Sequence, residues 1–225
     1  MTLPHGISRD VLFDFDRNAR IGLPETVFCQ GKPVETLIAL LRKFARGNGH
    51  PVLFTRLLPD VFNSLPQDVR DGVEYHANSR TAWSDTLPRR PSGRVAVVSA
   101  GTSDGAVAWE AARTLAYLGV EYSLFEDCGV AGLWRLVDRL PQINEHDVVI
   151  AVAGMDAALA SVLGGLTPKP LLAVPTSVGY GNVKNGESAL HSMLVSCAPG
   201  VSVFNVDNGY GAACAAARIV GLLCR

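Results

Sequence analysis

The chain has 225 residues, of which 48% are hydrophobic, and a formal net charge of −1. This length allows one large domain or a domain with a smaller one beside it, and the apolar fraction is ample for a core. The small net charge excludes a global attraction to nucleic acid or to an anionic membrane, so we expect neither as a partner. The sequence has no secretory signal and no apolar run long enough to cross a bilayer, so we expect a cytoplasmic protein.

The cysteines and histidines do not have the spacing of a disulfide framework or a metal site. There are five cysteines, an odd number, and no two of them have C-x-x-C spacing. Such cysteine usage is typical of a reducing compartment. The five histidines form no ligand pattern either, so we expect no metal held by protein side chains.

The first 90 residues are more charged and less regular than the rest. Residues 33–45 have helical apolar spacing, and residues 51–55 are a predicted strand. Residues 76–93 carry Arg, Pro, Ser and Gly with little periodicity, which predicts a linker. We therefore predict a small N-terminal α/β part, with its linker, over residues 1–90.

Residues 91–225 alternate between apolar runs and amphipathic segments, and we predict a second domain there. The predicted strands are residues 94–99, 121–125, 147–152, 170–174 and 201–206, and the predicted helices are residues 106–118, 133–140, 157–164, 186–196 and 210–223. Alternation of this kind predicts an α/β fold with a parallel sheet, right-handed crossovers and helices on both faces, which makes three layers.

Three glycine-rich turns each follow a predicted strand. They read Ser99-Ala-Gly-Thr-Ser-Asp104, Ala153-Gly-Met-Asp156 and Pro175-Thr-Ser-Val-Gly-Tyr-Gly181. Ligands of open α/β sheets bind outside the carboxyl ends of the strands, so the three turns can converge on one pocket. Free backbone N–H groups at a helix start also attract phosphate. The plainer interpretation is that the aspartates only cap the following helices, and no standard nucleotide-binding motif decides between the two.

A fourth segment, Ser196-Cys-Ala-Pro-Gly200, places Cys197 after a predicted helix. A catalytic thiol needs a lowered pKa and access to substrate, whereas most lone cysteines are small buried hydrophobes. Cys128 and Cys214 also lie near turns or helix starts. Position along the chain therefore does not choose among the three.

The order of strand-ending turns over residues 94–223 resembles the class I phosphoribosylaminoimidazole carboxylase fold, which is flavodoxin-like. The resemblance implies a symmetric homo-oligomer, expected to be an octamer, whose pockets neighbouring subunits complete. That family carries a catalytic histidine after the second strand. Here residues 126–132 read Glu-Asp-Cys-Gly-Val-Ala-Gly and contain no histidine, which argues against purine chemistry.

Nearly the whole chain is similar to the LarB family, the carboxylase/hydrolase that begins synthesis of the nickel-pincer nucleotide cofactor. The first part shares Asp16-Arg-Asn-Ala-Arg20, Gly22-Leu-Pro-Glu25, Phe28-Cys-Gln-Gly-Lys32 and Thr55-Arg56. The second part shares Val97-Val-Ser-Ala-Gly-Thr-Ser-Asp104, Gly129-Val-Ala-Gly132, Val174-Pro-Thr-Ser-Val-Gly-Tyr-Gly181, Ser196-Cys-Ala-Pro-Gly200 and Asp207-Asn-Gly-Tyr-Gly211.

This resemblance implies a reaction and a set of residue roles. The substrate is nicotinic acid adenine dinucleotide, with CO2 or bicarbonate as co-substrate. Its pyridinium ring is carboxylated and its phosphoanhydride hydrolysed, giving AMP and pyridinium-3,5-biscarboxylic acid mononucleotide. Cys197 is expected to add to the ring as nucleophile, and Asp156, where the family has a glutamate, to accept the proton. Magnesium bound to the substrate could shield the phosphoanhydride.

The substrate-binding residues that the resemblance implies lie in both parts of the chain. Those expected to hold ribose or phosphate are Ser99, Thr102, Ser103 and Asp104. Those expected to line the ring or CO2 site are Thr176, Ser177 and Gly179, and Gly154 is a further substrate-binding residue. Those expected to bind the pyrophosphate are Arg17, Arg20 and Lys32.

Residues 182–188 depart from the family pattern, because Asn-Val-Lys-Asn-Gly-Glu-Ser stands in place of a small apolar string. Lys184 and Glu187 add charge beside the expected pocket, which predicts either a solvated loop or a changed choice of nucleotide. Two other functions stay open. One is a related carboxylase acting on another pyridinium or aminoimidazole ribonucleotide, and the other is a non-catalytic nucleotide-binding protein.

Overall fold

The computed structural model describes residues 6–8, 11–89 and 93–224. The chain forms two compact units, Met1–Pro88 and Arg89–Arg225. Within the described ranges, every helix is too short or too polar to cross a bilayer.

The first unit is a small α/β unit built on a mixed sheet. Its elements are β1 (Gly6–Ser8), β2 (Val11–Leu12), α1 (Arg17–Ile21), β3 (Val27–Phe28), α2 (Val34–Lys43), β4 (Leu53–Thr55), α3 (Pro59–Ser64), α4 (Gln67–Asp71), β5 (Glu74–His76) and β6 (Thr81–Trp83). β1 and β2 pair with each other, and the larger sheet has the order β3-β4-β6-β5. In α2, Leu37, Leu40 and Leu41 follow helical spacing and are buried in one core with Phe54.

The interpretation of residues 76–93 as a linker throughout is wrong. They include β6, whose three residues are all buried and which pairs with both β4 and β5. Polar side chains concealed this strand. The Thr81 hydroxyl lies 2.7 Å from Ser79 Oγ, which lies 2.9 Å from His76 Nδ1. Because these groups satisfy one another, the strand can be buried without apolar periodicity. Residues 90–92 of the predicted linker lie outside the described residues.

The second unit alternates strands and helices, as the pattern predicts. Its elements are β7 (Val95–Ser99), α5 (Gly105–Tyr117), β8 (Tyr122–Phe125), α6 (Trp134–Val137), α7 (Leu140–Ile143), β9 (Val148–Ala153), α8 (Ala158–Leu166), β10 (Leu171–Pro175), α9 (Glu187–Leu194), β11 (Val201–Val203) and α10 (Gly209–Gly221). The helix predicted over residues 133–140 is instead two short helices, α6 and α7. Pro141 lies in the first turn of α7, so it begins a helix and does not end one. The last strand ends at Val203, three residues earlier than predicted.

The sheet of the second unit has five strands in the order β11-β10-β9-β7-β8, and every pair is parallel. Helices α5 and α10 pack together on one face, and α8 and α9 pack on the other. Counted along the chain, the strands have the flavodoxin-like order 2-1-3-4-5, so the predicted three-layer α/β fold is confirmed. The direction of winding reverses between β7 and β9, which makes that gap the switch point of the sheet.

Candidate active site

A cavity of about 760 Å³ opens at the carboxyl ends of β7 and β9, beside the switch point. Its walls come from some of the residues in 100–104 after β7 and in 127–135 after β8, and from residues 153–159 after β9 and 178–180 after β10. Crevices at this position are where open α/β sheets bind their ligands, and the volume suits a nucleotide. This cavity is therefore the candidate site.

Hydrogen bonds to the Asp104 carboxylate connect the loops at the carboxyl ends of the strands. Its Oδ2 accepts the Gly101 N–H at 2.9 Å, and its Oδ1 accepts the Thr176 hydroxyl at 2.6 Å. Burial raises the pKa of Asp104, while hydrogen bonds from Thr176 and from the Gly101 and Gly154 backbone oppose the rise. The bond from Gly101 is a capping bond for the short helical turn of residues 102–104, while α5 itself receives no capping bond from this side chain, so the capping interpretation is confirmed for the turn that leads into α5. The carboxylate also joins the loops that follow β7, β9 and β10.

Asp156 lines the cavity with an exposed carboxylate. One oxygen accepts the Ala158 N–H at 3.2 Å, in the first turn of α8. Both neighbours, Met155 and Ala157, have left-handed backbone with φ near +55°, which is unfavourable for residues other than glycine. The Met155 N–H donates to Val178 O at 3.1 Å and helps to hold this turn. Asp156 thus serves the helix start and faces the cavity as well.

Arg135 and Asp127 form a pair at the cavity that the sequence analysis missed. Both residues line it, and Arg135 Nη1 lies 3.1 Å from Asp127 Oδ1. Asp127 belongs to the loop after β8, and Arg135 belongs to α6. The available signal was a fourth glycine-containing turn at a strand end, Gly129 to Gly132, which served only for the family resemblance.

The structure brings some of the predicted residues of the second unit together and leaves others apart. Those that line the cavity are Ser103, Asp104, Gly154, Asp156 and Gly179. Those that do not are Ser99, Thr102, Thr176 and Ser177. Ser99 is fully buried, with no hydrogen-bond partner for its hydroxyl among the described residues. Thr176 is also fully buried, and its hydroxyl bonds two residues that do line the cavity, Asp104 and Val178.

Cys197 is exposed and does not line the cavity. It lies between α9 and β11, hence at the amino end of its strand, whereas the cavity lies at the carboxyl ends. Ser196 Oγ is 2.8 Å from Ser161 Oγ, which holds this segment against the middle of α8 rather than its start. Within one copy of the chain, Cys197 and Asp156 are therefore at opposite ends of the sheet.

Comparison with known proteins identifies the family. Residues 94–224 match the AIR carboxylase family, and residues 9–86 match the LarB/PurE-like N-terminal domain. The chain belongs to the LarB family. As a member with an AIR carboxylase domain, it is a carboxylase or mutase of the LarB and AIR carboxylase type.

Individual relatives of this LarB chain are archaeal. An uncharacterized protein of Methanocaldococcus jannaschii is 34% identical over 227 residues, which cover 96% of this chain and 86% of the relative. The N5-carboxyaminoimidazole ribonucleotide mutase of the same organism is 34% identical over 133 residues, 57% of this chain and 79% of that protein. A probable mutase of the same kind from Methanobrevibacter smithii is 29% identical over 136 residues, 57% of this chain and 38% of the relative.

Three cations expected to bind pyrophosphate lie in the first unit of this LarB chain. Arg20 is exposed, and its Nη1 donates to Asp14 Oδ1 at 2.8 Å, an interaction that raises the pKa of Arg20. Lys32 is exposed and Arg17 is half-buried. Their role toward pyrophosphate stays a prediction.

The segment 182–188, where this LarB chain departs from the family pattern, does not line the cavity. Lys184 and Asn185 have left-handed backbone, with φ of 49° and 56°. Lys184 Nζ lies 4.0 Å from Glu187 Oε2, so the two added charges face each other at the surface. Whether this segment changes the choice of nucleotide stays a prediction.

The carboxylates of the cavity do not form a metal centre. No group of three or more His, Cys, Asp or Glu side chains in the described part of the chain could hold a metal ion. Asp156 is engaged with a helix start and Asp127 with Arg135. The residues present do not fit a resident metal ion.

Proposed function

We propose that this LarB chain carboxylates the pyridinium ring of nicotinic acid adenine dinucleotide with CO2. It then hydrolyses the phosphoanhydride and releases AMP and pyridinium-3,5-biscarboxylic acid mononucleotide. The observation that carries the proposal is Asp156, an exposed carboxylate in the switch-point cavity of an AIR carboxylase domain. A carboxylate in that place can take a proton from a ring carbon of a bound substrate.

The chemistry requires a nucleophile as well as a base, because a pyridinium ring is too electron-poor to attack CO2. Addition of a thiolate beside C5 forms a C–S bond and turns the ring into a neutral dihydropyridine. Its C5 then attacks CO2 and forms the new C–C bond. Asp156 removes the C5 proton, and the thiolate leaves as the ring regains its aromatic cation. The thiol is regenerated, so the carboxylation needs no oxidant or reductant.

Cys197 is the proposed nucleophile, and a neighbouring copy of the chain supplies it. The thiol is exposed, and its segment follows two exposed apolar residues, Leu194 and Val195. The cavity side also exposes large apolar residues, Trp134 and Tyr180. Apolar surface on both sides favours contact between copies, and such a contact can bring a thiol at the amino end of one sheet to the cavity of another.

Hydrogen-bond donors for the phosphates and ribose of the substrate lie at the same cavity. The turn of residues 101–103 leads into α5, a 13-residue helix whose first N–H groups favour anions. Ser103 lines the cavity beside this turn and is exposed. Magnesium, where it assists hydrolysis, is proposed to arrive bound to the substrate's phosphates.

The aminoimidazole ribonucleotide chemistry of the mutase relatives is the weaker candidate. The resemblance places a catalytic histidine after the second strand, and here the loop after β8 carries Asp127 and Cys128. None of the described residues that line the cavity is a histidine.

A turnover assay tests the proposal. The protein is incubated with nicotinic acid adenine dinucleotide, Mg²⁺ and ¹³C-bicarbonate, and the products are separated and identified by mass spectrometry. We expect AMP and a mononucleotide carrying one ¹³C-carboxylate. Cys197→Ala should abolish the label, whereas Cys214→Ala, the same substitution within α10, should keep turnover. Tight binding of the dinucleotide without either product would favour a non-catalytic binding protein instead.

A further inference from the structure

The charges that line the cavity are unbalanced. Among the described lining residues there are three carboxylates, on Asp104, Asp127 and Asp156, and one cation, Arg135. Such a cavity repels anions on balance. The proposed substrate nevertheless brings a carboxylate on its pyridine ring to the place where Asp156 acts. A positive group must therefore meet that carboxylate, and Arg135 is the one available at the wall.

The Arg135 guanidinium is hydrogen-bonded to one protein carboxylate, and part of the side chain is still exposed. Its Nη1 donates to Asp127 Oδ1 at 3.1 Å, and the side chain remains 40% exposed. The guanidinium lies 5.8 Å from the centre of the Trp134 ring. A Cβ at Gly132 would lie 3.0 Å from Arg135 Nε, so glycine leaves room for the guanidinium there. Asp127 itself has left-handed backbone, with φ of 56°, so the loop holds the partner of Arg135 in an unfavourable conformation.

A guanidinium has five N–H donors and no acceptor, and it binds a carboxylate best with two parallel hydrogen bonds. One bond to Asp127 leaves donors for such a pair. A nicotinamide ring would instead present a neutral amide, whose carbonyl oxygen can accept one bond but whose NH₂ group cannot accept the second. The substrate's phosphate groups are proposed to bind elsewhere in the cavity, at the N–H groups that lead into α5. Arg135 is thereby left for the ring carboxylate.

We propose that Arg135 binds the ring carboxylate of the substrate and makes the site select a nicotinic acid dinucleotide over the nicotinamide dinucleotide. The inference rests on the proposed function and deepens it, because it names the group that sets substrate choice. Asp127 is the positioning residue for this cation.

The test is binding of three ligands by calorimetry, without bicarbonate so that no carboxylation occurs. The ligands are nicotinic acid adenine dinucleotide, oxidised nicotinamide adenine dinucleotide, and AMP. Wild-type protein should bind the acid more tightly than the amide. Arg135→Gln should weaken binding of the acid by about 10- to 100-fold, as expected for a lost charge-assisted hydrogen bond, weaken binding of the amide far less, and leave AMP unchanged.

Two further variants guard against a folding artefact. Arg135→Lys keeps the charge without the paired donors and should lie between wild type and Arg135→Gln. Arg94→Gln is the matched control, since Arg94 precedes β7 at the opposite end of the sheet and donates to Glu145 O. It should leave all three affinities unchanged.

Other outcomes separate the inference from the proposed function. Equal losses for both dinucleotides and AMP in Arg135→Gln would mean that Arg135 holds a phosphate, which overturns the inference alone. Equal binding of acid and amide by wild-type protein would also overturn it alone. Failure of wild-type protein to bind either dinucleotide would overturn the proposed function and this inference with it.

Discussion

Replacing Thr176 by valine removes a hydroxyl that donates to Asp104 and accepts a longer bond, of 3.4 Å, from the Val178 N–H, while keeping the shape of the side chain. The Thr176 hydroxyl donates to Asp104 Oδ1 at 2.6 Å, and both residues are buried. A buried carboxylate that loses a donor is left poorly solvated. The variant should therefore unfold more easily, and the loss of stability should depend on whether Asp104 is charged.

The pH dependence follows from the pKa of Asp104. Burial raises it in the folded protein above its ordinary value of 3.8. The folded state then holds the proton more tightly than the unfolded chain. The contribution of protonated Asp104 to the free energy of unfolding is fully present below pH 3.8, the pKa of the unfolded chain. It is lost as the pH rises through the higher pKa of the folded state. Thr176 opposes this loss because its hydroxyl stabilises the charged form, so the valine variant should make the total loss larger.

The expected magnitudes differ between acid and neutral conditions. At a pH well above the folded pKa, where the acceptor is charged, the variant should lose about 1.5–3 kcal/mol of unfolding free energy. At a pH below 3.8, where the raised pKa keeps Asp104 protonated and therefore a neutral partner, the loss should fall to about 0.5–1.5 kcal/mol. Urea unfolding of wild type and variant at both pH values measures the difference.

Thr114→Val is the matched control for this experiment. Thr114 is also fully buried, and its hydroxyl donates to the backbone oxygen of Glu110 at 2.7 Å, an uncharged acceptor. Its cost should be the same at both pH values. If Thr176→Val also cost the same at both, Asp104 would not be a charged acceptor in the folded protein, and the reasoning would be refuted.

Three further predictions concern the site and its loops. Asp156→Asn should reduce carboxylation by about 100-fold or more with little change in dinucleotide affinity, and Asp156→Glu should retain activity; equal activity of all three proteins would exclude Asp156 as the base. Iodoacetamide should label exposed Cys197 well before buried Cys29, whose pKa burial raises to about 12, and peptide mass spectrometry would expose the opposite order as a contradiction. Gly154→Ala should lower stability by about 1–3 kcal/mol, since its Cβ would lie 2.5 Å from Val178 O; an unchanged urea midpoint would argue against that close contact.

The sequence predicted the second unit well because its central strands are buried on both faces. All six residues of β9 are buried, and no polar residue interrupts the run. β6 escaped prediction because buried Thr81 bonds Ser79, which bonds His76, and no hydrophobic pattern records such hydrogen bonds. The helix end predicted before Pro141 was wrong for another reason. A proline tolerates the first turn of a helix as well as the position after one.

The site was predicted in part. Glycine turns at strand ends indicated where loops converge, so Asp104 and Asp156 could be found from sequence. Arg135 could not, because its place at the cavity depends on how α6 packs. Cys197 precedes the last predicted strand, so its position at the amino end was already contained in the element order. Its separation from Asp156 within one copy follows from that order.

Complementation between variants tests most directly the claim that one copy's thiol acts at another copy's cavity. Cys197→Ala and Asp156→Asn chains are co-expressed with different tags, mixed assemblies are purified, and ¹³C-carboxylation is measured. With random mixing, each site has one chance in two of an intact thiol and one in two of an intact carboxylate, so about one quarter of wild-type activity should return in a symmetric assembly. Activity no higher than that of either variant alone, in assemblies shown to contain both chains, would contradict the account.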